Sequence, residues 1–247
     1  MTRHQPFHVI DAEAAAPYVF ICDHASNAVP AGLKDLGLPA AELQRHIAWD
    51  IGAAGITEIL AERFKAPAVV CGTSRLVIDC NRHPDDPAAM PVVSDETRIP
   101  GNENLSPAQH VERVARYFTP YHDAIKRLIE QKMLAGQTPA ILSIHSMTPA
   151  MGGVARPWQI AMSWHEDQRL SLPMLNALRQ VPDITVGDNQ PYALDPAEDY
   201  SVPEHAIRRG LAHIQVEFRQ DEVDTPAGVA NWARIFGDAL AGVLPVK

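Results

Sequence analysis

Hydrophobic and polar residues alternate in blocks along the chain, in a pattern typical of a sheet covered by helices. Near-continuous apolar runs predict buried strands of a mainly parallel sheet at residues 18–22, 140–144 and 211–216. Shorter apolar stretches predict further strands at residues 68–72, 76–78, 158–163 and 184–186. Helices are predicted in segments 40–65, 106–134, 166–180, 203–209 and 226–244. Strands that alternate with helices predict an α/β fold: a three-layer sandwich with a mainly parallel mixed sheet flanked by helices.

Serine, proline and glycine residues mark the predicted ends and breaks of two helices. Ser106 and Pro107 have the residue types preferred at the N-cap and the first helical position, and Gly136 follows the end of that helix. In segment 40–65, Gly52 and Gly55 weaken the helical pattern and favour a break.

Two long irregular segments stand out between the predicted elements, at residues 84–105 and 187–204. The first is rich in proline and mixed in charge, and irregular chain of that length inside a compact domain is typical of a functional loop. No internal repeat, low-complexity tract or linker divides the chain, so we expect one domain over residues 1–247.

The composition narrows the class of partner. The 247 residues include 21 Lys and Arg against 30 Asp and Glu, a formal net charge of −9. This balance disfavours a nucleic-acid surface, which normally carries a basic patch. The first eight residues lack the pattern of a signal peptide, and no apolar run approaches the roughly 20 residues of a membrane span. We therefore expect a cytoplasmic protein, a monomer or small homo-oligomer, with no nucleic-acid or membrane partner.

The three cysteines, Cys22, Cys71 and Cys80, have no C-x-x-C spacing, which disfavours a zinc ribbon or a disulfide framework. Buried, reduced thiols are the simplest interpretation. A Cys22 nucleophile stays an alternative because His24 lies two residues further along the chain. The intervening Asp23 does not help to form a thiolate.

Polar clusters follow several of the predicted strands. Asp23 and His24 follow the first buried run, His145 follows the second, and Glu217 follows the third. Ligands in open α/β sheets bind outside the carboxyl ends of such strands. One polar residue at a strand end is ordinary, but a set of three predicts a common cleft, and its residue types indicate a metal-assisted hydrolase.

The metal ligands predicted from these clusters are two histidines and one acid. A catalytic zinc usually has three protein ligands from His, Asp or Glu and one open position, and His24 and His145 are the best candidates. Asp50 is the preferred third ligand because an unpaired carboxylate in its apolar segment is costly, and Asp23 is the alternative. His46 precedes Asp50 by four residues, a spacing that more often makes a surface pair. Zn²⁺ suits this set, although other divalent ions bind such ligands too.

Glu217 and the arginines supply the remaining chemistry. A glutamate that faces a metal site can act as general base toward water and then protonate the leaving nitrogen. A salt bridge to Arg219 or another arginine is the structural alternative. Arg75 and Arg82 provide planar donors suited to polarising a carbonyl and holding a carboxylate, although many arginines simply lie at the surface. Asp79, in the same segment, is expected to orient one of them.

The motifs at residues 23–27, 74–82, 144–147 and 216–217 resemble the N-formylglutamate amidohydrolase family in order and approximate spacing. The arrangement is also similar to the wider zinc carboxypeptidase and aspartoacylase group. The resemblance implies that His24, His145 and the family's acidic residue, here Asp50, bind zinc. It further implies that Arg75 polarises the carbonyl, that Asn81 and Arg82 bind the substrate carboxylate, and that Glu217 is the base.

Two departures from these families affect the expected substrate. Asn27 breaks the His-x-x-Glu motif of the wider group, and segment 23–27 lacks the His-Ser-Gly form found in many formylglutamate hydrolases. The chain is therefore expected to be a divergent branch. A glutamate side chain in the substrate would need a second cation, for which Arg156, His205, Arg208 and Arg209 are available.

The sequence and its resemblance together predict a metal-dependent amidohydrolase acting on a small N-acyl amino acid, with N-formyl-L-glutamate as the first choice. Arg156 and His205 are added to Asn81 and Arg82 as predicted substrate-binding residues. The alternatives are a zinc carboxypeptidase, a deacylase for another acyl amino acid or peptide, and a non-catalytic carboxylate-binding homologue.

Overall fold

The structure, a computed structural model, describes residues 4–244 of the chain. Its strands are β1 (Phe7–Ile10), β2 (Tyr18–Cys22), β3 (Ala68–Cys71), β4 (Val93–Ser94), β5 (Thr97–Arg98), β6 (Ala140–Met147), β7 (Ala150–Met151), β8 (Val154–Ala155), β9 (Ile160–Ser163), β10 (Val186–Asp188) and β11 (His213–Arg219). Its α-helices are α1 (Ala53–Phe64), α2 (Pro107–Arg113), α3 (Thr119–Leu134), α4 (Ser171–Leu178), α5 (Ser201–His205) and α6 (Pro226–Val243). Short 3₁₀ segments lie at Ala31–Gly37, Glu42–Gln44, Pro87–Ala89, Pro100–Asn102, Ile207–Arg209 and Gln220–Glu222. In the described part of the chain, no helix combines the length and apolar character needed to cross a bilayer.

Across the described residues, the main sheet has seven strands in the order β1-β3-β2-β6-β11-β9-β10. Strands β3, β2, β6 and β11 run parallel to one another, whereas β1 pairs antiparallel with β3 and β9 pairs antiparallel with β11. Because the four central strands are parallel, their carboxyl ends meet at one edge of the sheet.

Apolar side chains cover both faces of this sheet, and alternate residues of β2 divide between the two faces. Phe20 and Cys22 belong to a core cluster shared with α1, α4 and α6, and Val19 and Ile21 belong to a second cluster shared with α3. The sheet is thus the middle layer of three, which confirms the predicted fold class.

Residues 106–134 form one continuous helical rod, as predicted, with a local change of winding. The Ser106 side chain accepts a hydrogen bond from the Gln109 backbone, and the Gln109 side chain accepts one from the Ser106 backbone, which makes a capping box. Between α2 and α3 the chain forms a π-helix at Val114–Phe118. Pro120 follows this segment and has no N–H to donate to the preceding turn, which accounts for the change.

The predicted helix over residues 40–65 is wrong in its first half. Helix α1 begins only at Ala53, and Gly52 before it has φ +83°. A Cβ at Gly52 would lie 2.4 Å from the Val223 carbonyl oxygen, so this position requires glycine. As a result Asp50 lies in the loop before the helix, and its N–H donates to the His24 carbonyl at 2.8 Å.

The predicted strand at residues 76–78 is also wrong. These residues form a buried turn, in which the Ser74 hydroxyl accepts a hydrogen bond from the Leu76 N–H at 3.2 Å. The Val77 N–H donates to the Ser74 carbonyl at 2.9 Å. Apolar composition alone does not distinguish a buried turn from a buried strand. Strand β1, which is partly exposed at the sheet edge, was not predicted from the sequence.

Candidate metal centre and cavity

A cavity of about 700 Å³ opens at the carboxyl ends of β2, β6 and β11. Both long irregular segments singled out in the sequence line it: Ser94 and Asp95 come from residues 84–105, and Tyr192 and Asp199 come from residues 187–204. The strand ends thus form the base of the cavity, and the two loops form its rim.

His24, Asp50 and His145 lie together at the base of this cavity and are all buried. The Asp50 Oδ2 atom is 3.3 Å from His24 Nδ1 and 3.0 Å from His145 Nδ1. Ligands bound tetrahedrally at zinc distances lie about 3.3 Å from one another. The spacing and chemistry of these three donors therefore fit a divalent metal ion.

Further acids hold the outer nitrogen of each histidine. His24 Nε2 is 2.7 Å from Asp79 Oδ1, and His145 Nε2 is 3.3 Å from Asp23 Oδ2 and 3.0 Å from the Ser143 hydroxyl. Acids at the outer nitrogen fix the tautomer that presents Nδ1 to a metal. Asp23, the alternative ligand, therefore lies behind His145 rather than among the three clustered donors.

Asp23 is itself fixed by hydrogen bonds. The Tyr121 hydroxyl donates to its Oδ1 atom at 2.7 Å and the Ser201 hydroxyl donates to the same atom at 2.6 Å. Asn27, which replaces the acid of the His-x-x-Glu motif, instead donates to the Leu43 carbonyl at 2.9 Å. Asn27 is therefore used in holding the loop, and Asp50 is the acid that lies with the two histidines.

Electrostatics in the three-residue group favour an ionised carboxylate. Burial opposes the charge of Asp50, but His24, His145 and Arg75 outweigh it and hold the pKa of Asp50 below its ordinary value. Burial likewise opposes a charge on His145, but the adjacent carboxylates of Asp23 and Asp50 raise its pKa well above the ordinary value. Since ligand histidines must be neutral, a metal ion that bound here would release protons.

The arginines of segment 74–82 are held by carboxylates. Arg75 donates to Asp79 Oδ2 from Nε at 3.1 Å and from a terminal nitrogen at 2.7 Å, and to Asp50 Oδ1 at 3.2 Å. The predicted pairing of Asp79 with an arginine is thus confirmed. Arg82 donates to Asp199 Oδ1 at 3.0 Å.

The Asn81 side chain, predicted to bind the substrate carboxylate, is occupied by the protein itself. Its amide group donates to Asp199 Oδ1 at 2.9 Å, and its carbonyl accepts from the N–H groups of Tyr200 and Ser201 at 3.1 and 2.9 Å. Asn81 lines the cavity but ties the segment 79–82 to the loop before α5.

Glu217 lies beside His145, its partner in the parallel register of β6 and β11, and lines the cavity. Burial and the negative charge of Asp50 raise the pKa of Glu217 to about 7, against the opposing effect of His145, His24 and Arg75. A carboxylate with a pKa close to neutrality is suited to general acid and base catalysis. The structural alternative, a salt bridge with Arg219, is not formed, because Arg219 pairs with Asp221 and Glu222.

Of the cations that the sequence offered for a second substrate carboxylate, one lines the cavity and others lie outside it. Arg156 lines the cavity and is 8 % exposed. His205 does not line it: this buried side chain stacks on His122, whose Nδ1 lies 2.9 Å from His205 Nε2. Burial lowers the pKa of His205, so the ring is neutral. Arg208 pairs with Glu204 at the surface.

The remaining sequence candidates are His46 and Cys22. His46 lines the cavity, with Nε2 3.4 Å from Asp95 Oδ2, away from the three clustered donors. Cys22 is fully buried, and burial raises the pKa of its thiol well above the ordinary value. A thiol in that state is a poor nucleophile.

Tyr192, Asp199 and Gln215 are among the cavity residues that the sequence did not single out. Tyr192 and Asp199 belong to an irregular loop, where no periodic pattern places a side chain. Gln215 lies on β11 two residues before Glu217. Since alternate residues of a strand share a face, that spacing was a usable signal.

Known proteins resemble this chain over most of its length. A model of the N-formylglutamate amidohydrolase family matches residues 16–223. The solved structure of a gene product from Agrobacterium tumefaciens is 34% identical with a TM-score of 0.90, over 97% of this chain and 96% of that one. An N-formylglutamate amidohydrolase from Ralstonia eutropha has the same fold at 20% identity and a TM-score of 0.71, over 98% of both chains. No curated protein matches the sequence.

Proposed function

This chain belongs to the N-formylglutamate amidohydrolase family, and we propose that it is a metal-dependent hydrolase that cleaves the amide of an N-acyl amino acid. The observation that carries the proposal is the buried group of His24, Asp50 and His145 with Glu217 next to it in the same cavity. N-formyl-L-glutamate, the substrate named by the family, is the first compound to test.

His24, Asp50 and His145 would hold the ion through Nδ1, Oδ2 and Nδ1. When bound, a divalent ion supplies a Lewis acid that polarises the scissile carbonyl and lowers the pKa of water. Glu217 accepts a proton from the attacking water, whose oxygen forms the new bond to the acyl carbon. Glu217 then delivers that proton to the nitrogen as the carbon–nitrogen bond breaks, giving formate and the free amino acid from a formyl substrate.

Arg75 also contributes to this scheme, by stabilising charge. Its guanidinium is anchored by Asp79 and Asp50 and lines the cavity beside them. A fixed positive charge at this position stabilises the negative charge that develops on the acyl oxygen. Arg82 and Arg156 lie elsewhere on the cavity wall. Arg82 is paired with Asp199, so Arg156 is the better placed of the two to bind the carboxylate of the amino acid.

Formate release from N-formyl-L-glutamate is the direct test. We expect purified protein to release formate, to lose this activity when a chelator removes the metal, and to regain it when Zn²⁺ is added back. Full activity after chelation, with the metal content measured as zero, would contradict the metal dependence.

Asp79 is expected to control metal affinity without touching the ion. The Asp79→Asn variant loses the charge that orients His24, so we expect its zinc affinity to fall about 10–100-fold. Competition with a chromogenic chelator measures this affinity. The control is Asp183→Asn, because Asp183 lies outside the cavity. Equal zinc affinity in Asp79→Asn and wild type would rule out this positioning role.

A further inference from the structure

The cationic side chains in the cavity are unequally paired. Arg75 is held by Asp79 and Asp50, and Arg82 is held by Asp199. A guanidinium already paired with a carboxylate has less attraction left for a second one. These two arginines are therefore expected to bind a substrate carboxylate more weakly than unpaired arginines would.

The Arg82 partner is firmly fixed. Asp199 is 7 % exposed, and its Oδ1 atom also accepts from Asn81 at 2.9 Å. Its Oδ2 atom accepts from the Asp195 N–H at 3.0 Å. A substrate carboxylate that displaced Asp199 from Arg82 would leave a buried charge and break this network, which is unfavourable.

Arg156 is different. Among the described residues, no carboxylate oxygen lies within 4.0 Å of its guanidinium. The group is anchored by neutral partners: it donates to the Thr148 carbonyl and hydroxyl at 3.3 and 3.1 Å and to the Tyr192 hydroxyl. It also lies over the Tyr192 ring, 4.9 Å from the centroid. The cavity thus offers one oriented, buried guanidinium that is free to pair with one carboxylate.

The rim opposes a second carboxylate. Asp195 and Glu198 line the cavity and are exposed, and within residues 4–244 neither side chain has a cationic partner inside 4.0 Å. Like charges at a cavity mouth repel a dianionic ligand more strongly than a monoanionic one.

Gln215 supplies a neutral recognition group. Its side chain lines the cavity on the face of β11 that carries Glu217, and the residue is 4 % exposed. The Gln215 Oε1 atom has no hydrogen-bond partner among the described residues. A buried amide oxygen without a partner carries a desolvation penalty, and rotation of the amide that presents this oxygen to a hydrogen-bonding ligand removes it.

Resting on the proposed function, we propose that the cavity selects an N-acyl amino acid with one carboxylate and a side-chain carboxamide, of the glutamine or asparagine type, over the dianionic glutamate derivative. Arg156 binds the single carboxylate. Gln215 pairs with the substrate carboxamide, because two amides can each donate and accept.

The specificity ratio tests this proposal. We expect kcat/KM for N-formyl-L-glutamine, measured as formate release, to exceed that for N-formyl-L-glutamate at least about tenfold. N-formyl-L-norleucine, which has no side-chain amide, should also be at least about tenfold poorer than the glutamine derivative. Equal values, or a preference for the glutamate or norleucine derivative, would overturn the proposal while leaving the amidohydrolase function intact.

The Gln215→Leu variant isolates the carboxamide contact. We expect kcat/KM for N-formyl-L-glutamine to fall about 10–100-fold while the value for N-formyl-L-norleucine stays within about threefold. Gln168→Leu is the matched control, because Gln168 is exposed and outside the cavity. An equal loss on both substrates would show that Gln215 has only a structural role.

Calorimetric binding of the three compounds to the zinc-loaded protein separates the two proposals. Tighter binding of the glutamine derivative without formate release would support the selectivity and contradict the hydrolase function. Tighter binding of the glutamate derivative would contradict the selectivity whatever the turnover. If none of the compounds binds, both proposals are wrong.

Discussion

The Glu217→Gln variant is expected to lose about a thousandfold in kcat, the middle of the range for removal of a general base, while its zinc content stays at the wild-type level. Glutamine has nearly the same shape but cannot accept the proton of the attacking water. Glu217 also lies outside the group of three donors, so the variant should bind metal normally. Formate release and zinc content measured on the same sample test both halves of this prediction.

The pH profile adds a signature that a structural role would not give. The pKa of Glu217 is raised to about 7 by burial and by Asp50, and only the ionised form accepts a proton. Wild-type kcat/KM should therefore fall as the pH drops through this value, or through a lower one because a bound cation favours the carboxylate. The residual activity of Glu217→Gln should lack this limb.

The assignment of Glu217 as the base needs a control variant and outcomes that would contradict it. Glu166→Gln changes an exposed glutamate away from the cavity and should keep wild-type activity. Full activity in Glu217→Gln would show that another group is the base, whereas lost activity together with lost zinc would indicate a role in metal binding.

Asp50→Asn is expected to have the largest effect on metal binding. Asp50 is the anionic member of the predicted ligand set and contacts both histidines. Zinc affinity should therefore fall on the order of 100-fold or more, a larger loss than that expected for Asp79, which contacts a ligand histidine but not the ion. Competition with a chromogenic chelator measures this loss of zinc affinity, and the Asp79→Asn variant is measured in parallel. A zinc affinity equal to that of wild type would remove Asp50 from the ligand set.

The same variant should destabilise the metal-free protein. Asp50 pairs with Arg75 and with two histidines whose pKa values are raised, and removal of one partner from a buried ionic group costs about 3 kcal/mol. The pKa of Asp50 is lowered on folding, so its contribution is present above the ordinary carboxyl pKa and is lost as the pH falls below it. Urea unfolding should thus show a difference between variant and wild type at pH 7 that shrinks below about pH 4.

The sequence predicts the central strands and the base of the cavity well, for a physical reason. A strand buried on both faces is a continuous apolar run, and residues 18–22 are the bounds of β2. His24, His145 and Glu217 then follow from the rule that parallel strands end at one edge. Their convergence in one cavity can be predicted without knowing how the loops fold.

Features that depend on loops and close approach are not visible in the sequence pattern. The position of Asp50 depends on the turn at Gly52, which Val223 crowds from another part of the chain. The pairing of Arg82 with Asp199 joins segments 117 residues apart. Arg156 and His205 were equivalent as candidates, and only the folded loops place one in the cavity and the other against His122.

The division of the cavity between strands and loops has a consequence for how such enzymes diversify. The groups proposed for bond cleavage lie at strand ends or contact residues that do. Tyr192, Asp195 and Asp199, in contrast, come from one loop between β10 and α5. Loops accept insertion and replacement far more readily than central strands do. A lineage can therefore exchange one amino-acid substrate for another by altering this loop, while inheriting its bond-breaking chemistry unchanged.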